Sequence, residues 1–589
     1  MNGAPPPNTM LPRSRVLWTG LLPLFAALPL AAAIAAVHRW FPDSPEQAVA
    51  RVGGLLLAVI VAVPTAVLWR LRRETAPSDL GLAVVVGTLT VLVAGYLYSI
   101  SSSILVRADT LIWSEGPFVS DILKFRIGYP LYTAPANLES FFYPPGAQWL
   151  TYGIARLAGF ADSIPAYRVI QLVYAALAAL LAAAATLRLL VMVRPDRAAT
   201  IGPWWGAVWV PFLFLCATNA QTNPFAYALH NDGLSVLVSA AAYFLLAEYA
   251  ATRRLSWLVL LVLIPVAGFY VKQSLVVWAA LGAGYLVVFD RPRSLQRAAV
   301  FTISAFALVV GGYSLGRWTW GADFHYWVIE DLRNHPFSPL RSVQHALSAW
   351  AWFAAGTGGA LLLFGRRWRH IAGLWVVWLL LLAQQAWTSG IAWMLNHLGP
   401  GSLLAGIWFA AALATAWPRR GQQPRSAFAW TRAGLVTLGT LLCFSGLGMV
   451  RVPVLVLPPD LDRYVSAIEK EFDGMDAERV LLDAGTWVYL PSRTVPKDRG
   501  AAVGDLGYSG LGDFSGMLGR IRGRTYQRIL VHSWHTVDFG YDHHSWRSSS
   551  GIRAALDQNY REVRRISAVK GQEDGTPFLR EISVLEPLP

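Results

Sequence analysis

Several polar side chains interrupt the apolar stretches of this chain, and their types suit acid–base and anion-binding chemistry. Glu115 stands beside a turn-forming Gly-Pro pair, where a carboxylate can project from a loop and deprotonate a hydroxyl group. Lys272 lies between two apolar stretches, where an ammonium group can hold a phosphate as a point charge. His230 and Asp232 lie near the start of a further apolar stretch. An aspartate there is costly unless it is paired or functional.

Each of these residues also has an ordinary structural explanation. Glu115 can be a solvated loop acid, or an acid at the start of the helix that follows it. His230 and Asp232 can form a satisfied cluster at a helix end. Lys272 can extend its stem along an apolar surface and keep its charge in water. The mutual positions of the side chains must decide between these alternatives.

The remaining candidates are amide, aromatic and charged side chains near the same kind of boundary. They are Arg107, Asp109, Tyr143, Gln273, Asn396 and His397. Gln384 and Gln385 lie farther from that boundary, inside an apolar stretch.

Four histidines lie close together in the last quarter of the chain. They are His532, His535, His543 and His544. Their spacing matches no zinc-protease signature, and no cysteine accompanies them. We therefore expect no metal site and no cofactor, although a divalent metal remains open.

The composition is that of an integral membrane protein. Of the 589 residues, 55% are hydrophobic and only 14% are charged, whereas soluble globular proteins carry about 25% charged residues. The formal net charge of +14 would suggest nucleic-acid binding in a soluble protein. Here much of the excess lies in short loops between apolar stretches, so we expect membrane lipids and no nucleic acid as partners.

The apolar pattern predicts an α-helical polytopic membrane protein with about thirteen spans, several of which reach the roughly 20 residues that cross a hydrocarbon core. The predicted spans are 16–37, 52–69, 81–106, 166–193, 201–219, 227–248, 255–268, 271–289, 298–316, 341–364, 371–389, 400–417 and 431–449. Arginines cluster in alternate loops, which places those loops and the N-terminus in the cytoplasm. The short pair 255–268 and 271–289 can instead be a broken helix or a re-entrant hairpin.

Two segments lie outside the predicted spans, on the extracytoplasmic side. The loop 107–165 is too long for a simple connector, and we predict helices in it at 117–126 and 147–160. From residue 452 the composition is that of a soluble protein, with strands predicted at 479–483 and 528–532 and a helix at 462–472. These patterns predict a transmembrane domain over 1–451 and a small extracytoplasmic α/β domain over 452–589.

The motifs of the long loop resemble those of the GT-C class of membrane glycosyltransferases, in particular the bacterial aminoarabinose and mannosyl transferases. Such proteins carry an acidic motif in their first large extracytoplasmic loop, followed by an interfacial helix. Trp113-Ser114-Glu115-Gly116-Pro117 and the stretch to Tyr132 are similar to that loop, and Phe142-Tyr143-Pro144-Pro145-Gly146 resembles the aromatic-proline motif after it. The chain departs from many relatives in having Ser114 where they have a second acid, and in placing the loop after the third span.

The resemblance implies a hexosyl- or pentosyltransferase of the bacterial inner (plasma) membrane. It would move a sugar from a polyprenyl-phosphate donor to an extracytoplasmic glycan, lipid or protein, with Glu115 as the general base, alone or with Asp109. Lys272, Arg107 and His397 would neutralise the departing phosphate, whose charge grows in the transition state. The resemblance assigns catalysis to Glu115, Asp109 and Asp232, and substrate binding to Arg107, Tyr143, His230, Lys272, Gln273, Asn396 and His397.

Two other classes of function compete with an enzyme. A transporter or flippase of lipid-linked sugars would also need polar residues in the membrane, but spread through it so that both sides gain access. Here the polar residues gather on one predicted face, and no inverted repeat is visible in the sequence. A non-catalytic assembly protein would leave Glu115, Asp232 and Lys272 without a role.

Overall fold

The computed structural model describes most of the chain between residues 114 and 416 and much of its last quarter. The described residues are 114–198, 204–218, 225–290, 294–364, 368–391, 395–416, 461–482, 506, 509–532, 534–535, 551–573 and 576–589, with scattered positions between 85 and 104. Arg107, Asp109, His543, His544 and the predicted spans 16–37, 52–69 and 431–449 lie outside them.

Besides the four-residue helices Pro195–Ala198 and Ala322–His325, twelve α-helices lie between residues 114 and 417 in the described part of the chain. They are α1 Glu115–Ile127, α2 Gly146–Leu157, α3 Ile164–Val193, α4 Trp204–Ala217, α5 Asn231–Thr252, α6 Leu255–Val271, α7 Val277–Phe289, α8 Ser294–Trp320, α9 Pro339–Ser348, α10 Trp350–Leu363, α11 Trp368–Thr388 and α12 Gly399–Ala416. Short 3-10 helices at Pro135–Asn137, Gln273–Val276 and Leu395–Leu398 and a π-helix at Tyr326–Asp331 join them. The two helices predicted in the long loop correspond to α1 and α2.

Five helices in the described residues are long and apolar enough to cross a membrane, and a sixth qualifies if α9 and α10 form one span. The axes of α9 and α10 are bent by 54°, so the stretch predicted as a span at 341–364 consists of two helices with a break between them. On α9 the side chains of Leu340, Val343 and Leu347 are exposed on one face, as in a helix that lies along an interface. The total of about thirteen spans stays a prediction.

The predicted pair 255–268 and 271–289 is a helical hairpin. Its first helix, α6, ends at Val271, and the chain returns through Gln273–Val276 and α7. At the far end of the hairpin, Asp290 is fully buried and forms ion pairs with Arg253 and Arg297. The start and the end of the hairpin therefore meet, which is the geometry of two antiparallel helices.

Helices α10 and α12 approach closely at a glycine, which gives a testable prediction. A Cβ atom on Gly359 would lie 2.7 Å from the carbonyl oxygen of Trp408, whereas one on Gly358 would meet nothing within 4 Å. We expect Gly359→Ala to cost about 1–3 kcal/mol through overpacking. Gly358→Ala should be neutral or slightly stabilising, because alanine favours helix. Thermal unfolding in detergent compares them, and equal midpoints would contradict the close packing.

The described residues after 460 build a four-stranded mixed sheet with helices. Its strands are β1 Val480–Leu482, β2 Arg528–His532, β3 Tyr560–Glu573 and β4 Thr576–Pro587, in the order β1-β2-β4-β3, and its helices are α13 Leu461–Lys470, α14 Ser515–Arg522 and α15 Ile552–Asn559. Strands β1 and β2 are parallel, and β4 is antiparallel to both of its neighbours. Met517 of α14 and Trp327 of the π-helix belong to one buried apolar cluster, so the sheet region packs against the loops that surround the helix ends.

Candidate functional site

Asp232 is the centre of a buried polar cluster. Its Oδ1 lies 2.7 Å from Nζ of Lys272, and its Oδ2 lies 2.9 Å from Nδ1 of His230. The side-chain amide of Asn396 donates a hydrogen bond of 2.5 Å to the same Oδ2. None of the four residues is more than 5% exposed. The structure thus brings together residues that are 164 positions apart in sequence.

The cluster is assembled from helix ends. His230 has an extended backbone and immediately precedes α5, so Asp232 lies in the first turn of that helix. Lys272 also has an extended backbone, in the break between α6 and the 3-10 helix that leads into α7. Asn396 belongs to the 3-10 helix Leu395–Leu398, which leads into α12. Each of the three chain segments therefore contributes its polar side chains to the cluster at the place where a helix starts or breaks.

A small cleft opens beside this cluster. Its lining includes Asp232, Lys272, His397, Ser235, Ser274, Gln384, Gln385 and Thr388, with apolar contacts from Leu275, Leu381 and Pro400. His397 thus shares the cleft with Lys272. Ser235, Ser274 and Thr388 were not predicted, because a hydroxyl group inside an apolar stretch commonly bonds its own helix backbone.

Tyr143 and a group of aromatic rings surround the same cluster. The Nζ atom of Lys272 lies 5.9 Å from the centre of the Tyr143 ring, within the range of a cation–π interaction. The His230 ring packs 4.7 Å from Phe118 and 5.0 Å from Phe225, measured between ring centres. These rings exclude water from one side of the cluster and fix the orientation of the imidazole.

Gln273 holds two backbone segments together. Its side-chain amide donates to the carbonyl oxygens of Phe142, at 2.7 Å, and of Val328, at 3.1 Å. The first bond fixes the residue before Tyr143, and the second reaches the π-helix. In this structure Gln273 therefore positions the neighbours of the cleft.

Glu115 lies behind the cluster in an ion pair that sequence reasoning missed. Its two carboxylate oxygens accept hydrogen bonds of 2.8 Å and 2.6 Å from Nε and Nη2 of Arg168, and both side chains are fully buried. Its Oε1 also accepts the backbone N–H of Leu229, the residue before His230. The available signal was an arginine near the start of the predicted span 166–193, since a charge there needs a partner.

Local sequence explains how Glu115 reaches this place. It lies in the first turn of α1, where Pro117 is compatible with a helix start, and Gly128 ends the helix with a φ of 71°.

After Tyr143-Pro144-Pro145 the chain enters α2 at Gly146. A Cβ atom there would lie 2.6 Å from the carbonyl oxygen of Tyr270, so only glycine allows this approach to the end of α6.

The opposite ends of the same helices carry a separate set of ion pairs. Arg188 of α3 donates to Glu248 of α5 at 2.6 Å, and Tyr249 donates to the buried Asp290 at 2.6 Å. Arg253 and Arg297 pair with Asp290 there as well. In the described residues, ion pairs therefore lie at both ends of the bundle, and the cleft described above lies at the end that holds Asp232 and Lys272.

The histidines of the last quarter form no metal site within the described residues, where no group of three or more His, Cys, Asp or Glu side chains can hold an ion. His535 instead contacts Glu562, with 2.8 Å between Nε2 and Oε2. Burial alone would raise the pKa of Glu562, but hydrogen bonds from Arg565, Ser583 and His535 lower that pKa to about 2. The network is a polar link between β3, β4 and the end of β2.

Comparisons with known proteins give similarities of fold only. No protein-family model matches the chain, and no curated protein matches it. Among solved structures, the chain is similar to ArnT from Cupriavidus metallidurans bound to undecaprenyl phosphate, with 13% identity and a TM-score of 0.49 over 85% of this chain and 98% of ArnT. It is also similar to the oligosaccharyltransferase AglB from Archaeoglobus fulgidus in complex with an inhibitory peptide and a dolichol-phosphate, with 11% identity and a TM-score of 0.46 over 85% of this chain and 74% of AglB. At these values the chemistry of the cleft follows only from its own residues.

Proposed function

We propose that the chain is a membrane glycosyltransferase that moves a sugar from a polyprenyl-phosphate donor to an extracytoplasmic acceptor. The observation that carries the proposal is the buried contact between Lys272 and Asp232 beside a cleft at one end of a helical bundle. It places a cation that can hold a phosphate next to a carboxylate that can take a proton. The motif resemblance of the long loop supplies the class of donor and acceptor.

In the proposed reaction, an acceptor oxygen forms a bond to the anomeric carbon while the bond from that carbon to the phosphate oxygen breaks. The polyprenyl phosphate leaves with the electron pair, and a carboxylate takes the acceptor proton. Lys272, with His397 in the same cleft, stabilises the negative charge that grows on the phosphate. Arg107, which the motif resemblance assigns to the same task, remains part of the proposal.

Three carboxylates are candidates for the role of base. The resemblance assigns it to Glu115, alone or with Asp109, but both oxygens of Glu115 accept hydrogen bonds from Arg168. Asp232 lines the cleft and is released when Lys272 turns toward a phosphate. The geometry therefore favours Asp232 as the base, with Glu115 and Arg168 fixing the backbone at Leu229 that leads to it.

The donor-binding half of the proposal is tested with undecaprenyl phosphate. A ligand raises the unfolding temperature according to its affinity for the folded protein, so its protection against unfolding reports binding. We expect Lys272→Ala to weaken binding about ten- to hundredfold, because a hydrogen bond to a charged group contributes about 1.5–3 kcal/mol. Lys470→Ala, at an exposed site outside the cleft, is the matched control. Equal protection of wild type and Lys272→Ala would contradict the phosphate site.

A further inference from the structure

Besides the charged Lys272–Asp232 pair, the lining of the cleft contains a set of uncharged polar groups. Ser274, Gln384 and Thr388 form it, and all three are half-buried. Thr388 donates to the backbone oxygen of Gln385 at 3.3 Å, which leaves its oxygen available as an acceptor. The Gln384 carboxamide and the Ser274 hydroxyl form no hydrogen bond with the described part of the chain. They are available to a ligand.

The neighbouring Gln385 shows how a structural glutamine behaves in the same helix. Its Oε1 accepts the backbone N–H of Gly401 at 2.9 Å and so ties α11 to the start of α12. Gln384 is one residue away, faces the cleft and has no such bond to the described residues. A carboxamide offers two donor hydrogens and an acceptor oxygen, and a hydroxyl offers both functions. That combination matches the hydroxyl groups of a sugar ring.

The charges of the lining decide what kind of sugar fits. In the proposed reaction Lys272 turns to the phosphate, and the carboxylate of Asp232, still in contact with His230 and Asn396, takes the proton of the acceptor hydroxyl. A sugar with an ammonium or carboxylate group would bring a charge to a set of amide and hydroxyl groups. Burying such a charge without an opposite partner is strongly unfavourable.

We infer that Ser274, Gln384 and Thr388 form the subsite for the sugar of the donor, and that it selects an uncharged, hydroxyl-rich sugar over amino sugars and uronic acids. Leu275, Leu381 and Pro400 supply apolar contacts for the C–H face of the ring. This inference rests on the proposed function, because it takes the lipid phosphate to lie at Lys272.

The test compares the binding of synthetic undecaprenyl-phosphate donors that differ only in the sugar. Glucose, glucosamine with a free amine, and glucuronic acid are attached to the same lipid, and undecaprenyl phosphate without sugar measures the lipid contribution. We expect the glucose donor to bind more tightly than the sugar-free lipid, and at least about tenfold more tightly than either charged donor. Affinity is read from protection against thermal unfolding, which needs no acceptor.

A charge placed in the subsite should change this preference. Gln384→Glu is expected to raise the affinity for the glucosamine donor relative to the glucose donor about tenfold, through a charge-assisted hydrogen bond. Gln344→Glu, the same change at an exposed position of α9, should leave the ratio unchanged. An unchanged ratio in Gln384→Glu, or wild-type protein that binds charged and neutral donors equally, would overturn the subsite.

The same measurements separate this inference from the proposed function. Failure of every donor and of the sugar-free lipid to bind would refute both. Selective binding of the glucose donor without transfer to any acceptor would refute the transferase and leave the subsite in place. Transfer from all three donors at equal affinity would refute only the subsite.

Discussion

Asp232→Asn is expected to slow sugar transfer by about 10²- to 10⁴-fold, the usual cost of losing a general base. Asparagine keeps the shape of the side chain and can still accept a hydrogen bond, but it cannot take the acceptor proton. Binding of undecaprenyl phosphate should survive or strengthen, because Lys272 loses its intramolecular partner. The turnover rate and the affinity for the lipid are both measured in detergent, for the wild type and for Asp232→Asn. In detergent no sealed compartment exists, so a transporter would show no transfer with either protein.

The matched control for this change is Asp290→Asn. Asp290 is as deeply buried as Asp232 and is also held by cations, but it lies at the opposite end of the helices. Its replacement should lower stability and leave the turnover of the folded protein unchanged. Undiminished turnover in Asp232→Asn would exclude Asp232 as the base, and an equal loss in Asp290→Asn would show that the effect is structural.

Glu115→Gln should destabilise the fold by about 3–5 kcal/mol, because it leaves the guanidinium of Arg168 buried without its counter-charge. Replacement of both partners by apolar residues of similar volume is often close to neutral. The double variant Glu115→Leu with Arg168→Met should therefore recover most of the lost unfolding temperature. Thermal unfolding of the wild type and the two variants in detergent checks this.

The activity of the double variant decides the role of Glu115. If the pair only positions the backbone before His230, turnover should return together with stability. If Glu115 is the base, stability should return while transfer remains absent. Glu248→Gln serves as the control, since its partner Arg188 forms a similar pair at the other end of the bundle. That variant should lose stability without a loss of turnover in the folded fraction.

The convergence of Asp232, Lys272 and Asn396 was predictable because each is a polar residue at the boundary of an apolar stretch. Arg loops assign these boundaries to one side of a membrane, so hydropathy alone brings the residues to the same end of the bundle. The register of one helix against another is not encoded in hydropathy. For that reason the hydrogen bond from Asn396 to Asp232 needed the structure.

The features that sequence reasoning missed depend on pairing over long distances. Glu115 has several plausible local roles, and only the three-dimensional structure shows that it pairs with Arg168 of α3. The bend between α9 and α10 occurs at Ala349, without a proline or glycine to mark it. Strands β3 and β4 were not predicted either, because their charged residues obscure the alternation that identifies a strand.

The assembly of the cleft from helix ends has a consequence for its electric field. The helices α5 and α12 and the 3-10 turn before α7 all begin beside Asp232 and Lys272. The first turn of a helix carries partial positive charge from backbone N–H groups that lack an intrahelical partner. Part of the attraction that we propose for a phosphate would therefore come from the backbone, where no side-chain substitution removes it. Residual affinity for the lipid phosphate after the loss of Lys272 would measure that backbone share directly.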